Sequence, residues 1–306
     1  MSPAEDSLPP PAPSMANVRE RLQQWLGAPI VREFAVSGGY TPALRFRIET
    51  ASGDRGFVKV AVNPYTRRAL IREAEVLSAL QALGMPFVPQ LIAVDPDPIH
   101  PLLVLEDLGD ARWPPPWDEA LVESVLSTLR ELHKTPTTLP SYAEVHPEED
   151  HGWLDVAADP QPFLDLGLVS GAWLDASLST LVAAERNVET RGSTLTHFDL
   201  RSDNLCQSQR GVVIIDWNFA CAGNPLLDLG FWLPSLSIEG GPSPETLIGE
   251  QPEIAAFVSG FFAARAGQPP IPSAPHVRPL QIKQLRAALA WALPALGLRP
   301  TRNVSA

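Results

Sequence analysis

Thr196-His197-Phe198-Asp199-Leu200-Arg201-Ser202-Asp203-Asn204-Leu205, followed by Val212-Val213-Ile214-Ile215-Asp216-Trp217, is the stretch whose reading decides the fold. Asp199 lies five residues before Asn204, and Asp216 follows that Asn by twelve. An apolar run, residues 212–215, leads straight into Asp216. The order fits a loop carrying Asp199 and Asn204, then a strand that delivers Asp216 beside them. Two carboxylates and an amide oxygen in one small volume suit Mg²⁺, which takes oxygen ligands from protein and phosphate alike.

The chain around this stretch has 306 residues and a hydrophobic content of 45%, enough for one large or two modest packed cores. No apolar run approaches the roughly 18 residues of a membrane span. The opening MSPAEDSLPPPAPS is acidic and Pro-rich, so it is no secretory signal, and residues 1–15 are expected to be disordered. Two cysteines, Cys206 and Cys221, make neither a disulfide framework nor a metal-ligand spacing, which points to a reduced, cytoplasmic setting.

A net charge of −12 argues against a nucleic-acid partner. The excess is local. Residues 107–190 hold 16 Asp or Glu against 4 Lys or Arg, while the rest of the chain has 19 of each. That segment is either a solvated acidic face or a wall that attracts a cationic substrate.

Residues 18–25 read as a short amphipathic helix. Phe34 and Val36 alternate before Gly38 and Gly39, and Leu44, Phe46 and Ile48 alternate after them, which makes a hairpin with a Gly-rich turn. Such a turn serves an ordinary hairpin or lets backbone N–H groups approach phosphates. Residues 56–61 form the next strand and carry Lys59 between Val58 and Val60. With 3 lysines against 20 arginines, the general-purpose cation here is Arg. Lys59 is then either an exposed strand residue or an ammonium that reaches nucleotide phosphates.

Residues 66–83 have helical periodicity and carry Glu73 and Glu75. Val76 and Leu77, three and four residues on, place Glu73 on the inward face. Two strands follow, at 88–94 and 101–105, and the second runs into Glu106, Asp107, Leu108 and Gly109, a hinge whose backbone could bond an adenine edge. Beyond residue 108 the pattern turns helical. Helices are expected over 118–133, within 161–188, over 226–236, over 253–264 and over about 281–297. Residues 140–159 read as an acidic loop, and His133, His146 and His151 lack the paired spacing of a zinc site. The lobes expected from this are 16–107 and 108–306.

His197-x-Asp199 with Asn204, the Ile215-Asp216-Trp217 strand end and Gly223-x-Pro225-x-x-Asp228-Leu229 resemble the aminoglycoside phosphotransferase family over roughly residues 30–235. The resemblance implies an α+β, bilobal protein-kinase-like fold, with a small N-terminal antiparallel-sheet lobe and a larger, mainly helical C-terminal lobe. It further implies transfer of the γ-phosphoryl group of ATP to a small-molecule hydroxyl, with Mg²⁺.

Residue by residue, Asp199 would accept or orient the hydroxyl proton, and Asn204 and Asp216 would hold the metal. Lys59, fixed by Glu73, would hold the α/β-phosphates, Gly38 and Gly39 would close over the nucleotide, and Glu106, Asp107 and Leu108 would give hinge contacts. His197 and Asp228 would brace the loop. Phe198 and Arg201 depart from the family, which usually has Gly and His there; Arg201 either faces the transferred phosphoryl group or pairs with Asp203 at the surface. The acceptor would be a small molecule, an aminoglycoside or another amine if the acidic segment recognises it. A monomer or homodimer is expected, with neither nucleic acid nor membrane as partner. A nucleotide-sensing pseudokinase is the non-enzymatic alternative, and metal-dependent hydrolysis a third.

Overall fold

The computed structural model describes residues 12–36, 42–146, 152–272 and 274–299. Its contacts divide the chain into two compact units, Met1–Arg112 with Ser208–Asn218, and Trp113–Gln207 with Phe219–Ala306. The sheet lies in the first and most of the helix in the second.

In the first unit, α1 (Met15–Leu26) is capped by Ser14 and ended by Gly27, whose φ of 65° suits a residue without Cβ. Strands β1 (Ile30–Ala35), β2 (Leu44–Thr50) and β3 (Arg55–Val60) follow, then α2 (Pro64–Ala82), β4 (Leu91–Asp95) and β5 (Leu102–Leu105). They form one antiparallel sheet in the order β1-β2-β3-β5-β4.

The alternation of residues sorts its two faces. Phe46, Ile48, Val58, Val60, Leu102 and Val104 pack with Val18 and Leu22 of α1. Each such large side chain contributes about 1.5–3 kcal/mol on burial. The opposite face carries Arg45, Arg47, Phe57, Lys59, Leu103 and Leu105, placed together by the pairs Arg45↔Lys59, Lys59↔Leu103, Arg47↔Phe57 and Phe57↔Leu105. Helix α2 starts at a reciprocal Asn63–Thr66 capping box with Pro64 in its first turn, and it buries Leu70, Glu73, Val76, Leu77 and Leu80.

The second unit contains α3 (Glu119–Leu132), α4 (Tyr142–Val145), α5 (Gly152–Ala158), α6 (Gln161–Leu164), α7 (Gly171–Arg186) and β6 (Thr194–Thr196). After β7 (Leu205–Ser208), strand β8 (Gly211–Ile214) belongs to the first unit: Ile214 N donates to Phe87 O at 2.8 Å and Trp217 stacks on Phe87. The chain then continues with β9 (Cys221–Gly223), α8 (Pro225–Ile238), α9 (Pro244–Ile248), α10 (Pro252–Ala266) and α11 (Val277–Ala295). Strands β6 and β9 pair antiparallel. Helix α10 is buried on nearly every side, and its Phe257, Val258 and Phe262 share a core with Trp153, Leu181, Leu289 and Trp291.

The acidic loop expected over 140–159 is instead interrupted by α4 and α5. Helices of four and seven residues are too short to show a periodicity, and their formation is decided by packing. Trp153 is fully buried, and its indole Nε1 donates to Ala256 O at 2.9 Å. Of the tail expected over 1–15, residues 1–11 lie outside the described residues, and Met15 already begins α1. No described helix is long and apolar enough to cross a membrane. Cys206 and Cys221 are buried free thiols.

Candidate active site

In the first unit, β3 presents Lys59 and α2 presents Glu73, both almost completely buried. The Lys59 ammonium donates to Glu73 Oε1 at 2.7 Å and Oε2 at 2.9 Å, and also bonds Asp216 Oδ1. A lysine on an interior strand must be paired to stay charged. Burial opposes the ammonium, but Asp216 and Glu73 outweigh it and hold the Lys59 pKa above its ordinary value. Glu75, the other glutamate on α2, is well exposed and lies near Arg72. Asp216 adopts a left-handed φ of 65°, at the point where the chain leaves β8.

The hinge residues are engaged by their side chains. Arg47 grips Asp107 with two hydrogen bonds, Nε to Oδ1 at 2.7 Å and an Nη to Oδ2 at 2.8 Å. Asp107 Oδ1 also accepts from Gly109 N. Glu106 pairs with Arg210 and gives its backbone N–H to Gln90 O. The carbonyl of Leu108 accepts from Ala111 N at 3.0 Å. Gly38 and Gly39 lie outside the described residues.

In the second unit the loop after β6 is built around Asp228, which is fully buried on α8. Its carboxylate accepts from His197 N at 2.8 Å, Phe198 N at 2.6 Å and His133 Nε2 at 3.0 Å. His197 Nδ1 in turn accepts from Asp199 N at 3.2 Å. These bonds fix the backbone on which Asp199 sits. Asn204 Nδ2 donates to Asp199 O at 2.8 Å and Asp199 Oδ2 at 2.9 Å, which leaves the amide oxygen as the atom a metal could take.

Arg201 bonds Asp199 Oδ1 and also grips Asp203 through contacts of 3.0 and 3.2 Å. Ser202 Oγ donates to Glu239 Oε1 at 2.6 Å. Phe198 has φ 64°, a conformation that costs a non-glycine residue energy. Its ring packs against Tyr142 and His146, with centroids 4.8 and 5.2 Å away.

The model of the phosphotransferase enzyme family matches residues 35–265. The chain belongs to that family. Three solved structures show the shared kinase-like fold. A thermostable mutant of aminoglycoside phosphotransferase APH(4)-Ia, in a ternary complex with ADP and hygromycin B, is 13% identical, with 92% of this chain and 98% of that one covered at a TM-score of 0.56. An aminoglycoside phosphotransferase from Alicyclobacillus acidocaldarius is 13% identical, with 96% of both chains covered and a TM-score of 0.53. A macrolide 2'-phosphotransferase type I is 15% identical, with 96% and 95% covered and a TM-score of 0.52. No curated protein matches the chain.

For this phosphotransferase, sequence reasoning paired Lys59 with Glu73 and gave Asp228 its bracing role. It missed His133, which sits 95 residues from the Asp228 it bonds and was weighed only as a zinc ligand. It also missed Glu239, which holds Ser202 and accepts from Trp117 Nε1 at 2.8 Å. Neither residue belongs to a local motif, so no signal in the sequence pointed to them. No group of three or more His, Cys, Asp or Glu with metal-site geometry occurs among the described residues. Magnesium asks for no such group, since it is usually bound by one or two carboxylates together with substrate phosphates.

Proposed function

We propose that this small-molecule phosphotransferase moves the γ-phosphoryl group of ATP to an acceptor hydroxyl with the help of Mg²⁺. The observation that carries the reading is the buried Lys59, held by both oxygens of Glu73 and sharing its ammonium with Asp216. An ammonium placed this way is a fixed positive charge for phosphate oxygens. Lys59 holds the α/β-phosphates, the backbone of Glu106, Asp107 and Leu108 contacts adenine, and Gly38 and Gly39 allow close approach to the nucleotide.

Asn204 and Asp216 offer an amide oxygen and a carboxylate, the oxygen donors that Mg²⁺ accepts, and they would hold it. The metal, when bound, neutralises phosphate charge. Asp199 orients the acceptor hydroxyl and takes its proton as the oxygen bonds phosphorus; the bond to the bridging oxygen breaks, and ADP leaves with that electron pair. Arg201 offers a guanidinium to the transferred group once phosphate oxygens compete with Asp199 and Asp203 for it. The rest of the catalysis is positioning.

The acidic balance of residues 107–190 supports an amine-bearing acceptor. Each expected catalytic position carries the residue type the chemistry needs, so no observation favours a pure binding module. The test is a phosphate-transfer screen over hydroxylated amines and neutral sugars with ATP and Mg²⁺, run beside Asp199→Asn. Transfer to amines by the native chain, lost in the variant while nucleotide still raises its melting temperature, is the expected result. Transfer to neutral sugars alone would remove the cationic acceptor, and undiminished transfer by Asp199→Asn would remove the assigned base.

A further inference from the structure

The face of the sheet that carries Lys59 holds a second cation with no role so far. Arg45 on β2 is directly paired with Lys59 on β3. Directly opposite residues in an antiparallel pair lie on the same face, with Cβ atoms about 4.5–5.5 Å apart. The other face is filled by the apolar cluster under α1, so both side chains project away from it. Arg45 is half-buried. Burial holds the Glu73 carboxyl above its ordinary value, and the charge of Arg45, on the strand beside Lys59, works against that rise in the same sense as Lys59.

Arg45 Nη1 donates to Ala43 O at 3.3 Å, and the next arginine on the strand, Arg47, is held by a carboxylate. Its guanidinium is neutralised by the two-pronged contact with Asp107, and a Cβ on Gly109 would fall only 2.2 Å from its Cζ. Arg47 is therefore committed to the hinge. Arg45 lies two residues nearer the start of β2, about 7 Å along the strand.

The local charges make the case. Lys59 is outnumbered by Glu73 and Asp216, which leaves this cluster at −1 without Arg45. A triphosphate carries several negative charges of its own. A bound Mg²⁺ would bring this cluster from −1 to only +1, still short of the charge of a triphosphate. A surplus cation is still needed on the sheet face that meets the phosphates.

We propose that Arg45 is that cation: a second phosphate-positioning residue, which works beside Lys59 and binds nucleotide phosphate oxygens rather than the base. This rests on the nucleotide-binding reading of the same site. A guanidinium presents paired donors that match two phosphate oxygens, which Lys59, a point charge, cannot do.

The test is a ladder of ligands. Binding of adenosine, ADP and ATP, each with Mg²⁺, is measured by calorimetry for the native chain, Arg45→Gln and Arg45→Lys, with thermal melts of the ligand-free proteins as the folding check. Arg45→Gln should leave adenosine unchanged and weaken ATP by about tenfold, the lower end of what a hydrogen bond to a charged group supplies. Arg45→Lys should fall between, since the charge survives and the paired donors do not. Equal loss for adenosine and ATP would mean that Arg45 touches the base, and no loss would make it a partner of Glu73 only; either result overturns the proposal. If the native chain binds adenosine but gains nothing from added phosphates, Arg45 has no phosphates to hold and the proposal fails. If it binds none of the three, the nucleotide reading fails first and takes the proposal with it.

Discussion

Replacing Asp228 with Ala tests how the candidate catalytic loop is held. The carboxylate is inaccessible to solvent and accepts from two consecutive backbone N–H groups, those of His197 and Phe198, and from His133 Nε2. Ala leaves those backbone donors without that acceptor. A buried donor without a partner costs about 1–3 kcal/mol, so the two together with the imidazole give about 3–9 kcal/mol. That is a large fraction of the roughly 5–15 kcal/mol that stabilises a typical domain. Asp228→Asn retains one acceptor oxygen for the backbone but sets an NH2 group against the His133 Nε2 donor, so it loses the charge assistance and that bond, about 1–3 kcal/mol.

Urea unfolding measures both losses, and a cycle with His133→Ala isolates the share carried by the imidazole. Turnover should fall with the loop's position, on the order of a hundredfold in Asp228→Asn, because Asp199 is misplaced even where the protein stays folded. An Asp228→Ala protein within about 1 kcal/mol of the native one, with unchanged kcat, would refute the bracing argument.

Three further outcomes are expected. Glu73→Gln removes the carboxylate that grips Lys59 from α2, so the KM for ATP should rise about tenfold or more by steady-state kinetics; an unchanged KM would mean that Asp216 alone fixes the ammonium. Arg201→Ala should lower kcat at saturating ATP well beyond a few-fold, and a smaller effect in a rapid-quench assay would return Arg201 to a local partner of Asp199 and Asp203. Glu185, buried beside Trp153, has its carboxyl pushed up to about 7, chiefly by burial and against the backbone N–H groups of residues 152–154. Because the folded value is the higher one, its stabilisation is present below about pH 4.5 and lost as pH rises through about 7, a span of about 3 kcal/mol. Glu185→Gln should flatten that decline in denaturant titrations across the range, and parallel curves for the two proteins would exclude Glu185 as its source.

The parts of the site that sequence could reach were those with local spacing. Lys59 stood out because it interrupts an apolar strand in a chain that otherwise uses Arg, and Glu73 because Val76 and Leu77 fix which side of α2 it faces. The hairpin strands were legible through alternation, and α2 and α3 through helical periodicity. What stayed hidden depends on register or on distance along the chain. Arg45 gains meaning only once β2 and β3 are aligned, since a shift of one residue would send it to the other face. His133 and Glu239 act on the loop from outside any motif. The strain at Phe198 is offset by aromatic contacts with Tyr142 and His146, which composition cannot announce.

The membership of Ser208–Asn218 in the first unit has a consequence for how the protein is made. Synthesis runs from the N-terminus, and early regions generally fold first. Here the ribosome must add about a hundred residues beyond Arg112 before Ile214 can bond Phe87, Trp217 can stack on its ring and Asp216 can reach Lys59. Until then Lys59 has only Glu73 as its carboxylate partner among these two. A nascent chain released after residue 112 would thus hold all five strands of the sheet but only Lys59 and Glu73 of its charge cluster, and the first unit would be completed only after much of the second had emerged.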